Sequence, residues 1–295
     1  MRLEGLQTWG GLVSRGAADA EVVVVGLPYD GSAVYRKGAA DGPIRLRELS
    51  RAVPPVTEHG RRMTTKVHDL GDLDLGLEVE LGWQRVAEEL AALPPEAFLT
   101  VLGGDHCSMI PVLAAQAKRH PDLAVVWIDA HPDLNDFSRG GPWTCGCALR
   151  RALDCSGLKP ADIAMAGVRD FDFDELEFAR TGGLSWITCA TVATDPAAVG
   201  RELATLFAGR PIHISLDIDV LDPAFAPGTE IPAAGGLSTR EALSLLAALA
   251  EGSRLVGLDV AEVSPPLDPT DITSFAALKL IFETWGFVAQ GHGNR

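Results

Sequence analysis

Seven short apolar runs, at 22–27, 98–102, 123–128, 163–167, 184–188, 212–216 and 255–260, alternate with segments whose apolar residues recur at helical spacing. Those segments fall at 42–49, 82–93, 108–119, 172–180, 196–207, 239–250 and 273–287. β-rich runs of this length separated by 3.6-period stretches leave few architectures open, because each helix must cross back over the sheet before the next strand. The pattern predicts an α/β fold with a mostly parallel sheet and helices on both faces. No linker, repeat or low-complexity tract breaks the rhythm, and 47% hydrophobic residues suffice for a large core. Residues 1–295 are therefore expected to form a single domain.

The formal net charge of −15 speaks against nucleic acid as a partner, since phosphate backbones ask for clustered Lys and Arg. It is compatible with a basic substrate. Five cysteines, Cys107, Cys145, Cys147, Cys155 and Cys189, are too few and too odd in number to staple a chain of this size. The opening residues show no basic stretch followed by an apolar run, so the expectation is a cytoplasmic protein with reduced thiols. No apolar run approaches the ~18 residues of a membrane helix, so no membrane partner is expected.

In open parallel sheets, ligands bind beyond the carboxyl ends of the strands. Four acidic or histidine clusters fall there. They are Gly103-Gly104-Asp105-His106, Asp129-Ala130-His131-Pro132-Asp133, Asp217-Ile218-Asp219 and Asp259-Val260-Ala261-Glu262. In extended backbone, residues i, i+2 and i+4 project to one side, so Asp129, His131 and Asp133 can converge, with Asp217 and Asp219 facing them. Carboxylates packed this closely repel unless a cation neutralises them. A lone strand-end Asp is usually a turn or helix cap. Three clusters in register with three strand ends are not explained that way. Four carboxylates and two imidazoles without thiolate make a hard donor set, better suited to Mn²⁺ than to structural Zn²⁺. Two such ions about 3.5–4 Å apart can activate a shared hydroxide near neutral pH.

The segments GGDH, DAHPD, SLDIDVLDPAFAPG and GLDVAEVSP resemble, in order, the signatures of the ureohydrolases, that is, arginases, agmatinases and their guanidino-acid relatives. The stretch GLPYDGSAVYRKGAADGPIRLRELS is similar to the agmatinase N-terminal motif. The resemblance implies an arginase-like three-layer α/β/α fold, a homo-oligomer (trimer or hexamer), a small guanidino substrate and two Mn²⁺. One metal would take His106, Asp129, Asp133 and Asp217, and the other His131, Asp129, Asp217 and Asp219. By the same resemblance Glu262 pairs with the substrate guanidinium, a bridging hydroxide attacks its central carbon, and Asp133 relays a proton to the departing amine.

Three positions depart from the pattern. The shuttle histidine that arginases and agmatinases carry before a glycine is replaced by Cys145, which is either a working catalytic thiol or a small inert residue. Glu230-Ile231 stands where the family usually has Gly-Thr, which places Glu230 among the candidate substrate-binding residues. Asn135 and Asp172 match arginase positions that contact the α-carboxylate and α-amino group, although each also reads as a loop residue and a helix cap. The implied activity is amidinohydrolysis releasing urea from agmatine, a guanidino acid or an arginine-like substrate. Hydrolysis of a formimino or amide C–N bond at the same site, or a metal-binding protein without activity, are the other readings.

Overall fold

The computed structural model describes residues 5–75 and 79–293, with the side chains of Val79 and residues 290–293 left aside. Residues 1–4, where the leader reading begins, and the His292 side chain lie outside the described part.

Among the described residues eight strands form one sheet: β1 (Val22–Leu27), β2 (Val67–Asp72), β3 (Phe98–Gly103), β4 (Ala124–Ile128), β5 (Ile163–Val168), β6 (Ser185–Thr188), β7 (Pro211–Asp217) and β8 (Arg254–Ala261). Their order is β2-β1-β3-β8-β7-β4-β5-β6, and every neighbouring pair is parallel. Around them lie α1 (Gly42–Ser50), α2 (Val79–Ala91), α3 (Ile110–Arg119), α4 (Ala148–Ser156), α5 (Phe173–Gly182), α6 (Cys189–Thr194), α7 (Pro196–Leu206), α8 (Thr239–Glu251) and α9 (Ile272–Gly293).

The three layers follow from the pleat. Val22 and Val24 face one side with Leu46 of α1, Leu203 of α7, Leu245 of α8 and Trp285 of α9. Val23 and Val25 face the other with Val86 of α2, Leu113 of α3, Leu149 of α4 and Ala179 of α5. Both faces of a parallel strand are thus buried, which is why β1 reads as the continuous run VVVVGL. Each such valine contributes about 1.5–3 kcal/mol of burial.

The sequence runs omit β2, whose VHDLGD leaves only Val67 fully buried, because an edge strand needs little apolar surface. They also omit α4 and the short α6. Ser108 and Met109, expected in the helix that follows β3, belong instead to a tighter 3-10 turn, His106–Met109, before α3. One membrane expectation needs correcting. The stretch Ile272–Ala289 of α9 is long and apolar enough to cross a bilayer by length and composition, but 67% of it is buried inside the fold, as a core helix would be.

This topology positions the site. After β3 and β4 the chain turns to the face of α3 and α4, whereas after β7 and β8 it turns to the face of α8 and α9. Neighbouring strands whose connections diverge open a crevice at their carboxyl ends. In the order β3-β8-β7-β4 this happens twice, at β3/β8 and at β7/β4. All four acidic clusters lie at those strand ends.

Candidate metal centre and substrate cavity

The loops after β3 and β8 are locked together by backbone. Glu262 N donates to Gly104 O at 2.8 Å, and His106 N donates to Glu262 Oε1 at 2.9 Å. Asp105 N donates to Tyr29 O at 2.6 Å. A Cβ at Gly104 would stand 1.8 Å from that carbonyl, so only glycine fits there. Asp133 and Glu262 both occupy left-handed backbone, with φ of 54° and 64°. That conformation costs an L-residue about 1–2 kcal/mol, and strain of this kind gathers at functional sites.

Three carboxylates meet one imidazole nitrogen. His106 Nδ1 lies 2.9 Å from Asp129 Oδ2, 3.1 Å from Asp133 Oδ2 and 3.2 Å from Asp217 Oδ2, with all four side chains buried. The other face of His106 settles its tautomer. Ser215 Oγ donates to Asp259 Oδ1 at 2.8 Å, so it accepts from His106 Nε2 at 3.1 Å. Asp259 Oδ2 in turn holds His213 Nε2 at 2.7 Å, and His213 Nδ1 faces Gln116 Nε2 at 2.9 Å. In the neutral ring the proton therefore sits on Nε2, and a lone pair on Nδ1 points at three carboxylate oxygens. Either Nδ1 is protonated or a cation belongs among these four atoms. Burial disfavours the imidazolium, but the carboxylates, Asp129 first, push His106 well above its ordinary pKa. A divalent ion removes that tension, and the donors suit one.

A second group shares Asp129. His131 Nδ1 lies 3.0 Å from Asp219 Oδ2 and 3.6 Å from Asp129 Oδ1. His106, Asp129 and Asp217 form one ligand-competent triad, and Asp129, His131 and Asp219 form the other. Asp133 joins the first through His106. The six residues expected at the metals are thus brought together. Trp127 supports them by stacking on His106 at 4.0 Å between ring centroids and by donating from Nε1 to Asp129 Oδ2 at 3.0 Å. Burial, then the charge of Asp129, raises the Asp133 carboxyl to about 7.

His106, His131, Asp133, Asp217 and Asp219 floor a cavity of about 990 Å³ that Glu262, Glu230, Cys145, Asn135 and Asp172 also line. Glu262 is pushed well above the usual carboxyl range by burial, then by the charges of Asp217, Asp105 and Glu230. Cys145 is likewise raised, by burial and then by Glu262, Glu230 and Asp133. It is held as a neutral thiol, a donor rather than a thiolate base. Asn135 Nδ2 donates to Asp172 Oδ2 at 3.1 Å, so the two rim residues pair with each other. Asp172 is also the N-cap of α5, its backbone N donating to Glu175 Oε2 at 2.8 Å. Ile231 is 38% exposed at the cavity mouth.

In the sequence Asp259 stands in a cluster without a role of its own, and no motif there marks His213, Ser215 or Gln116. The one available signal was period two in HISLD: His213, Ser215 and Asp217 share a face of β7.

The family model described as Arginase family matches residues 20–286. Proclavaminate amidinohydrolase of Streptomyces clavuligerus is 36% identical over 280 residues, which cover 92% of this chain and 89% of that protein. Agmatinase of Bacillus cereus is 34% identical over 270 residues, 90% of this chain and 91% of its own. The solved structure of the Streptomyces clavuligerus proclavaminate amidinohydrolase superposes with a TM-score of 0.87 at 33% identity, covering 98% of this chain and 99% of that one.

Proposed function

The chain belongs to the arginase family, and from that premise we propose that it is a dinuclear manganese amidinohydrolase that cleaves a guanidino C–N bond and releases urea. The observation that carries this reading is the pair of triads sharing Asp129 within one cavity whose wall holds Glu262. Family relatives named agmatinase and proclavaminate amidinohydrolase support the guanidino substrate class.

His106, Asp129, Asp133 and Asp217 would hold one ion, and His131, Asp129, Asp217 and Asp219 the other. When bound, two divalent ions supply Lewis acidity and bring the acidity of a shared water into the neutral range. The protein's own residues do the rest. Glu262, anchored through Oε1 by His106 N, turns its second oxygen to the planar cation and fixes the carbon next to the metal ligands. Burial of the floor excludes bulk water and strengthens that ion pair. Asp133, on the cavity floor, would carry a proton at its carboxylate oxygen to the departing amine. Cys145 keeps its proton and shapes the wall. Asn135 and Asp172 meet the substrate tail at the rim.

The test is product analysis. Protein supplied with Mn²⁺ is assayed with agmatine, arginine, guanidino acids and formiminoglutamate, measuring urea and formamide separately. Urea from a guanidino compound is expected; formamide alone would move the chemistry to formimino hydrolysis.

A further inference from the structure

Glu230 follows β7 in the loop at the cavity mouth and is 3% exposed. Its Oε1 accepts from the backbone N–H groups of Val34 and Tyr35, each at 2.6 Å. Its Oε2 is sealed from solvent and has no N–H or O–H donor; a weak thiol donor, Cys145, approaches the carboxylate from the same cavity wall. Arg36 lies beside it but donates from Nε to Glu230 O at 3.0 Å and from a terminal nitrogen to Thr229 O at 2.9 Å. Glu262, 4% exposed, has the same form, with Oε1 occupied by His106 N and Oε2 unpartnered. Both glutamates line one cavity. Among the described residues no Lys or Arg forms an ion pair with either.

A buried carboxylate oxygen without a donor is costly, and two in one cavity also repel. A planar cation with parallel N–H donors on more than one edge satisfies both. We propose that Glu230 is a specificity-determining residue, the second arm of a carboxylate clamp that grips a guanidinium along two edges while Glu262 holds the other. Its claim on a guanidinium rests on the amidinohydrolase reading above. An N-monosubstituted guanidinium presents two open edges, one between the terminal NH₂ groups and one that includes the substituted N–H. An N,N-disubstituted guanidinium presents only the first. The clamp therefore selects substrates that keep a hydrogen on the substituted nitrogen.

Calorimetric titration with methylguanidinium and N,N-dimethylguanidinium tests this on the metal-loaded protein, wild type and Glu230→Gln. Glutamine retains an acceptor for the Val34 and Tyr35 amides while removing the charge. The wild type is expected to prefer methylguanidinium by about ten- to a hundred-fold, the range of a charge-assisted hydrogen bond. Glu230→Gln should shrink that preference to less than about threefold, the charge-assisted pair having been lost. Equal binding of the two cations by the wild type overturns the clamp without recourse to any variant, and so does a variant that keeps the wild-type preference. Discrimination intact without urea release from any guanidine would overturn the proposed reaction and support the clamp, whereas urea release without discrimination would do the reverse.

Discussion

His106 Nε2 lies 3.1 Å from Ser215 Oγ, and that contact decides which nitrogen of His106 faces the carboxylates. Ser215 spends its own proton on Asp259, so it can only accept from the imidazole. Removing the hydroxyl frees the ring to change tautomer and orientation. Ser215→Ala is expected to weaken metal binding about 10–100-fold, as loss of an orienting partner does. Mn²⁺ titration by calorimetry measures it; an unchanged affinity would show that the chain from His106 to Asp259 does not orient the ligand.

Asp129 belongs to both triads and Asp219 to one. Elemental analysis after dialysis against Mn²⁺ should therefore separate two variants. Asp129→Asn is expected to hold less than one ion per chain, and Asp219→Asn to keep the ion of His106 and lose the other. Equal loss in both would mean that the two ions bind only as a unit.

Cys145 should be chemically quiet. Its thiol is half-buried in the cavity wall, and desolvation, then the charges of Glu262, Glu230 and Asp133, raises it and keeps it neutral, whereas Cys155 is exposed. The thiolate is the reactive form, so iodoacetamide at neutral pH is expected to modify Cys155 well before Cys145, as read by peptide mass spectrometry. Cys145→Ser should keep kcat within about tenfold, the loss of a neutral hydrogen bond being worth about 1 kcal/mol. A far larger loss would identify Cys145 as a working thiol.

Stability should fall on mild acidification through a residue far from the metals. Burial, then the charges of Arg119, Arg254 and His213, lowers His120 from its ordinary 6.5 to about 4. The unfolded chain therefore binds the extra proton between those values and the folded chain does not, so stability is complete above about 6.5 and is lost as pH falls towards 4. The contribution is at most about 3 kcal/mol for a shift of this size. Urea denaturation of His120→Gln across that range should show a flatter profile than the wild type; identical slopes would contradict the assignment.

The buried strands were legible because a parallel strand covered on both faces must be apolar at every position, as in 22–27 and 124–128. β2 was not, since the edge position asks little more of it than Val67. The six metal-ligand candidates were legible for the opposite reason: charged residues at strand ends stand out against apolar runs, although the backbone that gathers them is not the extended one expected, since Ile218–Val220 is a 3-10 turn and Asp133 is left-handed. Ser215, Asp259 and His213 act through bonds that join β7, β8, the turn after β3 and α3, and no local spacing records which partner faces them. The left-handed backbone at Asp133 and Glu262 also left no mark, because the residues there are chosen for their carboxylates and the surrounding bonds impose the angle. Glu230 was visible as an acid in an unusual place, but only the fold shows that its second oxygen is buried without an N–H or O–H donor.

The most direct test of the central claim is to titrate metal-free protein with Mn²⁺ while following urea release from its best guanidino substrate. The account predicts negligible urea without metal and activity that rises until two ions are bound per chain. Full activity in the metal-free protein, or two bound ions with no urea from any guanidino compound, would contradict it.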